Sequence, residues 1–141
     1  MNPKLLLRIA SILILIHCIL HTFGFSGWKE DPDPARHAVV QLMTGPKLLF
    51  MGTYRNMGNY YDGFGYASSI ALLLIAVILW LVSGELASKT MLAAKIMLVI
   101  SFMLLLWGVD ELIFFFPFAA AITLTSSLCC LWAFFRFVKR L

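Results

Sequence analysis

Residues 91–116 read MLAAKIMLVISFMLLLWGVDELIFFF and pass straight into Pro117. From Met91 to Phe114 the charged side chains are Lys95 near the start and Asp110 and Glu111 near the end. At about 1.5 Å per residue, such a run is long enough to cross the roughly 30 Å hydrocarbon core of a bilayer. A second apolar run, Pro117–Val138, follows after only Phe115 and Phe116. So short a connection makes the two helices antiparallel neighbours. Pro117 suits a first helical turn, where its missing N–H is not needed.

Working outward, two more runs of the same kind precede this pair. Leu5–Phe25 carries Arg8 near its start, and Phe64–Val82 is followed by a short turn holding Gly84, Glu85, Ser88 and Lys89. The spans are therefore about 5–25, 64–82, 91–114 and 117–138. Lys4 and Arg8 before an apolar stretch also open a secretory signal. The first run is too long for one, contains His17 and His21, and is followed by no clean A-x-A site.

Composition agrees. The chain has 141 residues, 62% hydrophobic and 13% charged, with mean hydropathy +0.92. A soluble domain is about 25% charged and 45–50% apolar. The expected fold is all-α, a four-helix transmembrane bundle forming a single membrane domain. Cys18, Cys129 and Cys130 lie in apolar runs without metal-ligand spacing and read as packing residues.

The long polar stretch is the loop 27–63. Lys29, Glu30, Asp31, Pro32, Asp33 and Pro34 form an exposed turn. Asp33 reads as a helix N-cap with Pro34 at the first position, and Gly45–Pro46 stops that helix. Val39, Leu42 and Met43 share one face, which suits a helix lying at the membrane interface. Leu48–Met51 reads as a second short apolar piece, so short interfacial helices are expected here, capping the bundle from about Pro34 to Gly52.

Four spans put both termini on one side. Lys4, Arg8, Lys89, Lys95, Arg136, Lys139 and Arg140 share that side, against Lys29, Arg36, Lys47 and Arg55 on the other. The positive-inside rule makes the termini cytoplasmic. Six of the seven acidic residues then face outward, Glu85 being the exception. The net charge of +4 reflects topology, with no implication of nucleic-acid binding. Arg136, Lys139 and Arg140 anchor that topology and can attract anionic lipid.

This orientation gathers polar groups at the outer end. His17 and His21, four apart, lie on one face of the first helix, in a stripe with Ala10, Ile14 and Gly24. The second helix opens with Tyr60, Tyr61, Asp62 and Tyr66, and the third closes with Trp107, Asp110, Glu111 and Phe114. Ala119, Thr123 and Ser127 form a small-residue stripe on the fourth, which permits close packing. An ionisable residue in the hydrocarbon region costs roughly 2.5–3.5 kcal/mol for Asp at a helix centre. Such residues need a partner or a role. One reading is a pocket for a small hydrophobic or lipidic ligand lined by His17, His21, Arg55, Tyr61, Asp62, Tyr66, Trp107, Asp110 and Glu111. In it His21 is the polar contact or acid–base group, Asp110 or Glu111 orients it, and Arg55 with Asp62 forms the mouth. The other reading is structural: Asp62, Asp110 and Glu111 pair with Arg55 and His21, and the aromatics form an interfacial belt.

No metal or other cofactor is expected. His-x-x-x-His can supply two ligands, but Cys18 stands where the Glu of HExxH would be. Two histidines on one helix face cannot hold opposite sides of a haem. The inner halves of all four runs are too apolar for an ion pore.

Arg55-Asn-Met-Gly-Asn-Tyr-Tyr-Asp-Gly-Phe-Gly-Tyr66, running on through Ser68–Ser69 to Leu79–Trp80, resembles the opening of the second helix in a bacterial family of small four-helix membrane proteins with no assigned function. His21-Thr-Phe-Gly24 is similar to the end of that family's first helix, and Phe114-Phe-Phe-Pro117 to its junction before helix four. The spacing between Arg55 and Gly63 differs. The resemblance covers most of the chain. It implies the four-helix fold and a multi-pass place in a bacterial inner (cytoplasmic) membrane, singles out His21, Arg55, Asp62 and Gly63, and supplies no reaction. In shape alone the architecture is similar to small four-helix families that bind sterols or quinone-like molecules. Two functions stay open: binding of a hydrophobic small molecule, or a non-catalytic accessory subunit docking onto a larger membrane protein complex. Membrane lipid is a partner in both.

Overall fold

The computed structural model describes residues 2–30, 32–88 and 90–139. Asp31, Lys89 and Arg140, which enter the charge arguments above, lie outside the described residues. The elements in order are α1 (Pro3–Ser26), a 3₁₀ turn (Trp28–Glu30), α2 (Pro34–Thr44), β1 (Leu48–Phe50), β2 (Thr53–Arg55), α3 (Met57–Glu85) with a 3₁₀ turn at Leu86–Ser88, α4 (Met91–Phe114) and α5 (Pro117–Val138). Among the described residues, α1, α4, α5 and the segment Met57–Ser88 are long and apolar enough to cross a membrane. The chain is all-α apart from the small hairpin, and its helices are those of a multi-pass membrane protein.

The chain divides into two compact units. The first holds the residues up to His17 and those from Leu72 onward. Its helices bury one line each: Leu6, Leu7, Ala10, Ile14 and His17 on α1; Leu72, Ala76, Leu79 and Ser83 on α3; Met97, Leu104, Gly108 and Glu111 on α4; Ala120, Thr123, Ser127 and Cys130 on α5. These spacings of three and four are the 3.6-residue helical period. Small or hydroxylated residues crowd the interior, while Leu5, Ile12, Leu15, Phe102, Leu106 and Phe135 face outward. Helix packing through small residues is the habit of membrane helices. Ser11 donates to the Ala76 carbonyl at 2.7 Å and Ser127 to the Ser101 carbonyl at 2.7 Å, joining α1 to α3 and α5 to α4. Arg8 lies over the Trp80 ring, 4.7 Å from its centroid. Gly108 sets the approach of α4 to α5, since a Cβ there would fall 2.6 Å from Leu124 Cδ2.

The second unit is Cys18–Ala71. Asp33 caps α2, accepting from the Ala35 N–H at 2.9 Å, with Pro34 at the first position. On α2, Val40 is buried while Val39 and Leu42 are exposed.

Two expectations for the loop 27–63 need correction. The piece Leu48–Met51 is not a helix but the first arm of an antiparallel hairpin pairing Leu48 with Arg55 and Phe50 with Thr53. Met51 (φ 47°) and Gly52 (φ 81°) both take the left-handed backbone that a two-residue type I′ turn demands. Helix α3 also reaches further back into this loop than expected, beginning at Met57, three residues before Tyr60. Asn56 and Asn59 explain this. The Asn59 N–H donates to Asn56 Oδ1 at 3.0 Å, and the Asn56 N–H to Asn59 Oδ1 at 3.2 Å. This is a reciprocal capping box built from two asparagines. Asn56 Nδ2 also donates to the Thr44 carbonyl at 2.9 Å, closing the end of α2.

Candidate functional site

The polar centre of the first unit is His17 on α1. Its Nδ1 lies 3.0 Å from Thr123 Oγ1 on α5, and its Nε2 lies 3.4 Å from Glu111 Oε1 on α4. The two ionisable side chains are 6% and 5% exposed. Thr123 reaches back along its own helix to donate to the Ala119 carbonyl at 3.3 Å, a habit of hydroxyl residues inside helices. Oγ1 and His17 Nδ1 share a hydrogen bond whose direction follows the histidine tautomer.

A proton lies between Nε2 and Oε1, on the imidazole or on the carboxyl, since otherwise two lone pairs would face each other. The Thr123 hydroxyl and the Trp107 indole stand near the same carboxyl. Glu111 Oε2 nevertheless forms no hydrogen bond of normal geometry among the described residues, although it is fully buried. A buried polar atom without a partner is rare and calls for an explanation.

Helical geometry sorts the other α4 candidates. Trp107 is half-buried, while Asp110 and Phe114 are exposed. Neighbouring residues are about 100° apart around a helix, so Asp110 cannot share the inward line of Leu104, Gly108 and Glu111. Trp107, Asp110, Glu111 and Phe114 therefore do not share one face, and of the two carboxylates Glu111 faces inward.

The remaining candidates belong to the second unit. His21 Nε2–H donates to the Gly65 carbonyl at 3.3 Å, and its ring lies 5.4 Å from that of Phe25. Phe25 meets Tyr66 edge-on at 5.0 Å. It also lies flat against Gly65, where a Cβ would fall 2.6 Å from the ring. Gly65 is therefore required by a close approach. Thr22 Oγ1 lies 2.8 Å from Ser69 Oγ, a further link between α1 and α3 in this unit. Asp62 accepts from the Trp28 indole at 2.8 Å and pairs with Lys29. Tyr61 meets Trp28 edge-on at 4.9 Å. Arg55 donates to the Tyr54 carbonyl at 2.9 Å. The pairing of Asp62 with Arg55 or His21 expected in the structural reading thus gives way to Trp28 and Lys29. Both belong to the 3₁₀ turn Trp28–Glu30.

Sequence reasoning passed over Thr123 and Trp28. Thr123 was visible only as one member of a small-residue stripe. Trp28, beside Lys29 after Gly27, carried no periodic signal. Among the described residues no group of three or more His, Cys, Asp or Glu could hold a metal ion. Compared with models of protein families, with curated proteins and with solved structures, the chain matches none.

Proposed function

We propose that this is a multi-pass protein of a bacterial inner membrane, with both termini cytoplasmic, that holds one small hydrophobic or lipidic molecule against His17 and Glu111. The single observation that carries the reading is the buried dyad with its unpartnered Oε2. An ionisable pair between apolar helices is retained against a desolvation cost, and a structural pair would be expected to use both carboxyl oxygens. The outward apolar side chains of the first unit support contact with membrane lipid. The surplus of Lys and Arg on the side of the termini supports the orientation. His17 replaces His21 as the central polar contact, Glu111 is its partner, and Thr123 holds its other ring nitrogen. In this reading Arg55, Tyr61, Asp62, Tyr66 and His21 organise the second unit through the contacts described above.

The test is native mass spectrometry of protein extracted gently with its own lipids. A stoichiometric small adduct is expected on the unaltered chain, and it should be lost from His17→Ala while the variant keeps its helical circular dichroism. A chain that carries no such adduct and arrives bound to another protein would contradict the reading. It would make this an accessory subunit of a larger membrane protein complex.

A further inference from the structure

We infer that the β1–β2 hairpin is a membrane wedge. Leu49, Phe50 and Met51 at its tip enter the adjacent bilayer leaflet, and Lys47 and Arg55 at its base hold anionic lipid headgroups. The wedge presupposes the membrane-spanning helices and is independent of the His17 site. Among the described residues the hairpin is a sheet of two strands, exposed along both arms. Side chains alternate across a strand, so Leu48, Phe50, Thr53 and Arg55 share one face and Leu49 and Tyr54 the other. Apolar side chains therefore stand on both faces, and Met51 at the turn is 89% exposed. A lone two-stranded hairpin is marginal in water, and a contiguous exposed apolar patch marks a contact with protein or membrane.

Three observations favour the membrane. A type I′ turn prefers Asn or Asp before its Gly, yet Met51 holds that place at φ 47°. The turn thus keeps an apolar side chain at its apex against conformational preference. From Pro34 to Tyr61 the sequence contains no Asp or Glu, but it holds Arg36, Lys47 and Arg55. Cations near a bilayer surface attract anionic lipid. Lys47 precedes β1, and Arg55 ends β2 opposite Leu48, so both lie at the base. Three residues per arm at about 3.3 Å each set the tip roughly 10 Å from them. Interfacial elements bury their apolar side to a similar depth, about 5–10 Å. Finally, Phe50 meets Tyr60 edge-on at 6.3 Å. Tyr60 lies one turn before the exposed Phe64, where the apolar run of α3 begins. The hairpin is thus held beside the start of a spanning run.

The test uses the full chain, methyl-labelled at methionine, at one chain per lipid nanodisc. It reads the Met51 methyl NMR signal, assigned with Met51→Leu, against a nitroxide on the lipid acyl chain and a water-soluble gadolinium chelate. In phosphatidylcholine discs with about 30% phosphatidylglycerol, Met51 should lose about twice as much signal to the nitroxide as to the chelate. The nitroxide effect should fall about twofold in Lys47→Gln/Arg55→Gln, and by the same factor for the unaltered chain in pure phosphatidylcholine. The unaltered chain decides the matter even if the variant folds poorly. Loss mainly to the chelate would put the tip in water and overturn the wedge. A signal spared by both reagents would mean that protein covers the tip, and would overturn it equally. An equal nitroxide effect with and without phosphatidylglycerol would overturn the headgroup contact of Lys47 and Arg55.

Discussion

His17→Leu is expected to destabilise the protein by about 3 kcal/mol, and the double variant His17→Leu/Glu111→Leu to recover most of that loss. His17 bridges α1 to both α4 and α5 through Glu111 and Thr123. Removing it strands a buried carboxyl that already has one oxygen without a partner. Taking one member from a buried pair typically costs 3–5 kcal/mol, whereas replacing both with apolar groups is often neutral or better. Glu111→Leu alone should be milder, because neutral His17 keeps its bond to Thr123. Denaturation in mild detergent, followed by circular dichroism, measures all three variants. The cycle also separates stability from function. The double variant should be as stable as the parent within about 1 kcal/mol and yet retain no adduct. A double variant that loses the sum of the two single losses would mean that the dyad does not act as a pair.

Gly108→Leu is expected to have the second large effect, through volume alone. A Cβ at this position already falls 2.6 Å from Leu124 Cδ2 and 3.3 Å from the Leu124 backbone nitrogen. The side chain can shift, but the backbone of α5 cannot yield without separating the helices. Overpacking a close interface costs typically 1–3 kcal/mol and at times more. We expect about 3 kcal/mol here, with the loss partly restored by Leu124→Ala. Gly24→Ala is the control, since a Cβ at Gly24 meets nothing within 4 Å. Thermal unfolding in detergent should leave that control within about 0.5 kcal/mol of the parent. If Gly108→Leu behaved like Gly24→Ala, α4 and α5 would not be in the contact described.

Much of the helical architecture was legible in the chain because hydrophobic length is a strong and local signal. Phe115 and Phe116 before Pro117 leave room only for a tight reversal, and α4 and α5 are indeed the neighbours that this junction implies. Asp33 and Gly45 marked α2 because capping chemistry is short-range. The hairpin was not legible. Its arms are three residues each, and its turn places Met51, a poor left-handed residue, before Gly52. An Asn-Gly pair would have announced it. The early start of α3 was encoded in Asn56 and Asn59, but a box made from two asparagines lacks the usual Ser/Thr and Glu/Gln pattern.

The site divided in the same way. Composition and position drew attention to His17, Trp107 and Glu111. They placed the polar contact on His21 and left Asp110 and Glu111 both open, because the choice in each case depends on the rotation of α1 and α4 about their axes. That rotation is set by packing: Leu104 and Gly108 turn Glu111 inward, and Ala10 and Ile14 do the same for His17. Thr123 escaped because its part is to bond a histidine nitrogen on another helix, which no spacing rule records.

The measurement that bears most directly on the account is solid-state NMR of the uniformly ¹⁵N,¹³C-labelled protein in lipid bilayers. A through-space correlation between the His17 ring nitrogens and the Glu111 carboxyl carbon is predicted, with a ring N–H that exchanges slowly with water. A His17 ring that shows no contact with Glu111 and exchanges freely would contradict the buried dyad, and with it the ligand site built upon it.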